Sequence, residues 1–293
     1  MPTAIPHHLA LPPRPLPGRL PEGLELFAVG DVHGRARALA AVLAAIAATP
    51  RVAGAERLVA VLGDLVDRGP DSLGAARLAM DAAGLARADR VVLLPGNHEL
   101  MLLDALDGGD PHHWLGNGGR TVMAEIDPRW MGRPWRENVV RLRDALPAGF
   151  AEAVRAAPSH LRVGDLVLVH AGLDYRADDD EHLRRDRPQD DDHWAWIRHP
   201  CLGWGGGWDV DGETGDRWWG PTVVVHGHTV AVRTDVADDP DMLRPMDGVE
   251  EYRAICLDAG AASRPQVGWA RVVTGADGGG VVTIAATRAE DDA

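Results

Sequence analysis

Three apolar runs constrain this chain more than any other feature. Residues 24–29 (LELFAV), 58–62 (LVAVL) and 91–94 (VVLL) are too short to be core helices, and each leads into a glycine-led polar island: GDVHG at 30–34, GDLVDRG at 63–69 and GNHE at 96–99. Between them the pattern turns helical. Residues 37–48 are rich in Ala and Leu, with apolar side chains on more than one face, as in a helix laid over a sheet. Asp71 and Ser72 precede a second helix over 73–82 and offer side-chain oxygens to its exposed N–H groups. Another helix is expected to begin near Glu99. Repetition of strand, loop and helix predicts parallel strands joined by right-handed crossovers, with the islands along one sheet edge.

The second half reads as richer in β-structure, with strands expected over 166–169, 223–225, 254–257, 270–273 and 281–285. A chain of 293 residues, 45% of them hydrophobic, can bury a full core, and no stretch resembles a linker between separate halves. The expectation is an α/β fold of two packed mixed sheets flanked by helices. It occupies one domain over 24–287, between a loosely packed Pro-rich N-terminal tail, 1–23, carrying His7 and His8, and a solvated acidic tail, 288–293. No apolar segment reaches the roughly 18 residues of a membrane span, and the N-terminus lacks the pattern of a signal peptide. The net charge of −14 argues against a nucleic-acid backbone as partner, since neutralising phosphates takes clustered Lys and Arg. Cys201 and Cys256 form neither a disulfide framework nor a CxxC pair, which points to a reducing cytoplasm.

The islands carry hard-metal ligands. Asp31 and His33 offer one oxygen and one imidazole to a single divalent ion. Asp64 has two oxygens and can bridge two ions. Asp67 and Arg68 follow on the same loop, where the plainest alternative is a surface ion pair of little worth. Asn97 offers a neutral carbonyl oxygen, and His98 a proton for a leaving alkoxide. Two later islands, HAG at 170–172 and GHT at 227–229, add His170 and His228; His226 competes with His228, and the residues alone leave that register open. Each of these groups is commonplace in a turn. Five ligand-bearing, glycine-flanked loops, each at a strand end, are not.

Together the islands resemble the calcineurin-like metallophosphoesterase superfamily, and GDLVDRG and GNHE are similar to its phosphoprotein phosphatase branch. GNHELMLLDAL running on to WLGNGGRTV at 114–122, and ICLDAGA at 255–261, are similar to bacterial and phage members, including the bacteriophage lambda phosphatase type. The resemblance implies a four-layer α/β/β/α sandwich and two divalent ions, manganese first, with iron, zinc or cobalt as alternatives. It implies that Asp31, His33 and a bridging Asp64 hold one ion, and Asp64, Asn97, His170 and His228 the other. The pair, about 3.5–4 Å apart, would deliver a metal-bound hydroxide in line at phosphorus with no phosphoenzyme. By the same resemblance His98 is the general acid, oriented by Asp67, and Arg68 clamps the phosphate. Arg198, in the WIR segment 196–198, is the candidate second arginine, and Asn97 also faces the substrate.

Specificity is expected from the segment 174–220, which holds the acidic run DDDE at 178–181 and six tryptophans: Trp194, Trp196, Trp204, Trp208, Trp218 and Trp219. It reads as a lid that stacks a nucleoside or packs a peptide side chain, or as aromatic packing of a glycine-rich loop. The leading reading is a serine/threonine protein phosphatase with a phosphorylated protein as partner. The alternative is a symmetrical dinucleoside tetraphosphate hydrolase acting on a nucleotide. A non-catalytic scaffold is the third reading, and the complete ligand set with His98 and Arg68 intact stands against it. Neither nucleic acid nor a membrane is an expected partner.

Overall fold

The computed structural model describes residues 6–174, 176–199, 201–203, 220–230, 253–275 and 279–290. The strands are β1 (His7–Ala10), β2 (Arg14–Arg19), β3 (Leu24–Val29), β4 (Glu56–Val61), β5 (Arg90–Leu93), β6 (His160–Val163), β7 (Leu166–Val169), β8 (Val223–His226), β9 (Ala254–Cys256), β10 (Gln266–Thr274) and β11 (Gly279–Arg288). The helices are α1 (Ala36–Ala48), α2 (Ser72–Met80), α3 (Ala82–Leu85), α4 (Asn97–Asp107), α5 (Pro111–Trp114), α6 (Arg120–Ile126), α7 (Trp135–Ala145), α8 (Phe150–Ala156) and α9 (Asp179–His182). Asp71 caps α2 as its side chain suggests, accepting the Gly74 N–H at 2.8 Å.

Two mixed sheets result. One has the order β1-β11-β10-β3-β4-β5, with β2 also on β11; the other has the order β6-β7-β8-β9. β3, β4 and β5 run parallel, as do β7, β8 and β9, whereas β10, β11 and β6 pair antiparallel. Alternation with period two builds the layers. Leu26, Ala28, Leu58, Ala60 and Leu62 face inward onto Leu166, Leu168, Val223 and Val225 of the second sheet. Phe27, Val29, Val59 and Val61 face outward under α1, α2 and α4. On the far side Val167, Val169 and Val224 pack beneath Leu183, Trp194 and Ile197. The architecture is the expected α/β/β/α sandwich.

The segment read as an N-terminal tail contributes two strands. β1 and β2 lie end to end along the edge of β11, and its prolines are accommodated because an edge strand needs only one row of hydrogen bonds. At the other end β11 extends through Arg288, and the N–H of buried Ala289 donates to the Pro265 carbonyl at 3.0 Å. No helix among the described residues is long and apolar enough to cross a membrane.

Candidate metal centre

The parallel strands of both sheets end at the same edge, where five loops converge. The first sheet delivers Asp31 and His33 after β3, Asp64, Asp67 and Arg68 after β4, and Asn97 and His98 at the start of α4. The second delivers His170 after β7 and His228 after β8. Five of the seven non-glycine residues at positive φ among the described residues belong to this set: His33, Asp64, Asp67, Arg68 and His228. Such conformations cost of the order of 1–3 kcal/mol each and cluster where geometry is dictated by function.

Asp64 sits at the centre and is buried. Its Oδ1 is 3.3 Å from His170 Nε2, and its Oδ2 is 3.5 Å from His33 Nε2 and 3.9 Å from His98 Nε2. The two oxygens of one carboxylate thus face two groups of donors. His33, Asp64 and His98 form one cluster able to hold a cation, and Asp64, His170 and His228 form the other. Asp31 lies beside the first, 4.0 Å from His33 Nε2, and accepts the His228 backbone N–H on both oxygens at 3.0 and 3.1 Å. Asn97 Oδ1 lies between His170 Nε2 at 3.1 Å and His228 Nδ1 at 3.0 Å. His226 stays within β8, buried, with Nδ1 3.0 Å from the Gly227 carbonyl, and of the two histidines it is His228 that groups with Asp64 and His170.

Whether this donor set fits divalent ions can be tested on the imidazoles. His33 Nδ1 lies 3.2 Å from the Val66 carbonyl, His170 Nδ1 2.7 Å from the Leu62 carbonyl, and His228 Nε2 3.1 Å from the Trp196 carbonyl. A carbonyl only accepts, so each outer nitrogen carries a proton, and each inner nitrogen faces the cluster, where its lone pair can bind a cation once any proton on it is lost. That arrangement fixes the tautomer a cation requires. Mixed imidazole, carboxylate and amide donors suit Mn, Fe, Zn or Co better than Ca. The residues fit a dinuclear site.

The electrostatics show how much charge this pocket concentrates. Burial, the Asp258 charge and the Asp64 charge hold the Asp31 carboxyl well above the usual range. For Asp64 burial acts upward too, but His170, His98 and His33 outweigh it and hold it well below. Burial would depress His170, yet the Asp64 and Asp31 charges and the hydrogen bonds to Asp64 and Leu62 push it up to about 10. Burial takes His33 down to about 3, and burial with the neighbouring His170 charge takes His228 down to about 2.

His98 differs from the other imidazoles. Its Nδ1–H donates to Asp67 Oδ2 at 2.6 Å, and its Nε2, buried and pointing toward Asp64, has no hydrogen-bond partner. Arg68 is exposed, with Nη1 3.1 Å from His33 Nε2 and Nε donating to the Asn117 carbonyl at 3.3 Å. Arg198 is exposed just beyond buried Ile197, and its charge helps depress His228. Trp194 is core, wholly buried under the second sheet. Trp196 is half-buried at the rim, stacked on His113 at 5.8 Å between ring centroids and edge-on to His228 at 6.1 Å. Trp204, Trp208, Trp218 and Trp219 lie outside the described residues.

Two buried carboxylates at the site received no role in the reading of the islands. Glu99 is buried and accepts the N–H groups of Asp64, Gly96, Leu65 and Val66, tying the second and third loops together. Its signal is a glutamate at the third position of a helix, a capping site. Asp258, in the LDAG segment after β9, is buried close enough to raise Asp31, and burial brings it up to about 6.

The sequence profile of the calcineurin-like phosphoesterase family matches residues 24–232. Serine/threonine-protein phosphatase 2 of Escherichia coli is 35% identical over 94 residues, 32% of this chain, and serine/threonine-protein phosphatase 1 of Salmonella typhimurium is 37% identical over a stretch of the same length. Those matches span 38% of each relative's own length. The symmetrical bis(5'-nucleosyl)-tetraphosphatase of an Acidovorax strain is 30% identical over 156 residues, 51% of this chain and 44% of that protein. Among solved structures, a protein serine/threonine phosphatase from Saccharomyces cerevisiae superposes with a TM-score of 0.52 at 14% identity, covering 95% of this chain and 86% of the other. A cold-active protein-tyrosine phosphatase from a Shewanella species gives 0.50 at 15% identity, with 90% and 82% covered. These structural likenesses speak to the fold. With the profile matched from β3 to just beyond the last of the five loops, the chain belongs to the calcineurin-like phosphoesterase family.

Proposed function

We propose that this chain hydrolyses phosphate monoesters as a serine/threonine protein phosphatase of the phosphoprotein phosphatase branch, with two divalent ions, manganese foremost. The observation that carries this reading is Asp64, one buried carboxylate whose oxygens face two donor clusters beside the His98–Asp67 pair. Asp31, His33 and Asp64 would hold one ion, and Asp64, Asn97, His170 and His228 the other. When bound, such ions polarise phosphoryl oxygens and make water a nucleophile at neutral pH. Arg68, exposed beside His33, grips phosphate oxygens through its planar pair of N–H donors, with Arg198, whose charge reaches His228, as the second clamp. His98 gives the proton on Nε2 to the departing alkoxide while Asp67 holds Nδ1–H and fixes the ring.

The phosphoprotein assignment draws on the two bacterial protein phosphatases to which the 94-residue matches run. A nucleotide reading has its own observation: the stacked Trp196 and His113 rings offer a flat aromatic surface beside His228 on which a purine could lie. Cys201 and Cys256 are buried and not joined in a disulfide, and we place the protein in a reducing cytoplasm. The deciding measurement compares kcat/KM on a phosphoserine or phosphothreonine peptide with that on diadenosine tetraphosphate, with manganese supplied. A clear preference for the peptide is expected, and turnover confined to the nucleotide overturns the assignment.

A further inference from the structure

The segment WLGNGG, 114–119, lies outside the metal ligands, yet it touches Arg68, read as the phosphate clamp, and Asp67, which holds His98. Trp114 is wholly buried at the end of α5, and its indole Nε1–H donates to both oxygens of Asp67 at 3.0 Å. Asp67 is equally buried, stands at φ 74°, and accepts the His98 Nδ1–H on Oδ2. Its own backbone N–H is held by Ser72 Oγ at 3.0 Å. A carboxylate gripped only by a histidine could rotate about χ2 and release the ring; the indole closes the fork on the other side. The indole is itself fixed. Trp135 meets its ring edge-on at 6.4 Å between centroids, and Gly119 packs so close to it that any Cβ there would collide with the indole. One residue earlier Gly118, at φ 133°, brings the chain against the Arg68 side chain, and the Asn117 carbonyl accepts the Arg68 Nε–H.

We infer that Trp114 is a positioning residue for proton delivery: its indole N–H locks the Asp67 carboxylate in the orientation that aims His98 Nε2 at the leaving oxygen. This rests on the reading of His98 as the acid. The step moves one proton, from His98 Nε2 to the alkoxide oxygen as the P–O bond breaks, and the Trp114 N–H stays bonded throughout. A group that acts this way matters in proportion to how badly the leaving oxygen needs the proton. Loss of ring packing alone would instead weaken every substrate and the fold together.

The test compares Trp114→Phe on a phosphoserine peptide, whose alkoxide leaves poorly, and on 4-nitrophenyl phosphate, whose aryloxide leaves readily. A second variant replaces the indole of Trp114 by benzothiophene, which keeps both rings and removes only the N–H, so the question stays answerable if the phenylalanine does not fold. Trp135→Phe serves as the packing control, and His98→Asn alone and combined with Trp114→Phe completes the cycle. The expected result is a fall in kcat of about tenfold on the peptide, much less on the aryl ester, with metal content and KM unchanged and no additional loss in the His98→Asn background. Equal losses on both substrates, the same pattern in Trp135→Phe, or a full further loss in the double variant overturns the inference. Leaving-group dependence in His98→Asn but in neither Trp114 variant overturns it while sparing the His98 assignment. Its absence in His98→Asn itself brings down both.

Discussion

Strands β3 and β4 carry a buried charged cluster at each end, and the two are built on opposite principles. At the N-terminal end Glu25 and Arg57, each 1% exposed, are paired at 2.7 Å, and Arg271 donates to the other Glu25 oxygen at 2.9 Å. Arg57 spends its remaining donors on the Ile46 and Thr49 carbonyls at 2.8 Å, with its guanidinium over the Phe27 ring. At the C-terminal end Asp31, Asp64, Asp67 and Asp258 are buried together, His98 Nε2 has no partner, and five residues sit at positive φ. The first cluster satisfies itself. The second is arranged for charges that come from outside the chain, and the strain and crowding it tolerates show what a buried polar group looks like when it serves a reaction.

The sharpest way to break this contrast is Asp64→Asn. Without the shared carboxylate both clusters lose a ligand, so metal content by elemental analysis should fall well below two ions per chain and turnover should vanish; full occupancy with normal turnover would refute the bridging role. At the other end, Arg57→Met leaves Glu25 buried with half its partners. It should cost about 3–5 kcal/mol in denaturant unfolding while leaving kcat untouched below the transition.

A smaller effect of opposite sign is expected from Asp31→Asn. Burial, Asp258 and Asp64 hold the folded-state carboxyl above its unfolded value, so ionisation opposes folding at every pH above the unfolded range. Removing that charge should stabilise the metal-free protein at pH 8 by about 1 kcal/mol while weakening metal binding, a trade typical of active sites. Destabilisation there would mean that the crowded carboxylates are as well satisfied as Glu25. Finer still is the proton count. His170, up at about 10, keeps its proton through neutral pH in the metal-free protein, and a cation needs the Nε2 lone pair. Metal loading at pH 8 should release roughly one proton from this site, and affinity should rise with pH until about 10. Calorimetry in two buffers of different ionisation enthalpy measures it, and no net release would contradict the assignment of His170.

Much of this was legible in the chain because it is local. A run such as LELFAV reads as a strand whatever surrounds it, and a glycine-led island after it must lie at that strand's end, so Asp31, His33, Asp64 and Asn97 could be found without knowing what they meet. The edge strands were harder: RPLPGR has the prolines of a tail, and only pairing with β11 makes it a strand. Glu99 was visible only as the place where a helix begins, and not as the acceptor for three consecutive amides of another loop.

The sequence by itself determined the two sheets' faces and the inventory of candidate ligands, since period-two alternation and strand-end loops are properties of neighbours along the chain. Tertiary structure alone decided which of the two histidines reaches the Asp64 cluster and what grips the Asp67 carboxylate. His226 and His228 have the same parity, and the choice between them falls to a backbone turn at φ 64° in the loop leaving β8. Trp114 and Asp67 are 47 residues apart, and their bond exists because α5 is folded back over the loop after β4. Contacts across that distance are set by how the elements pack, and side-chain patterns along the chain carry no record of it.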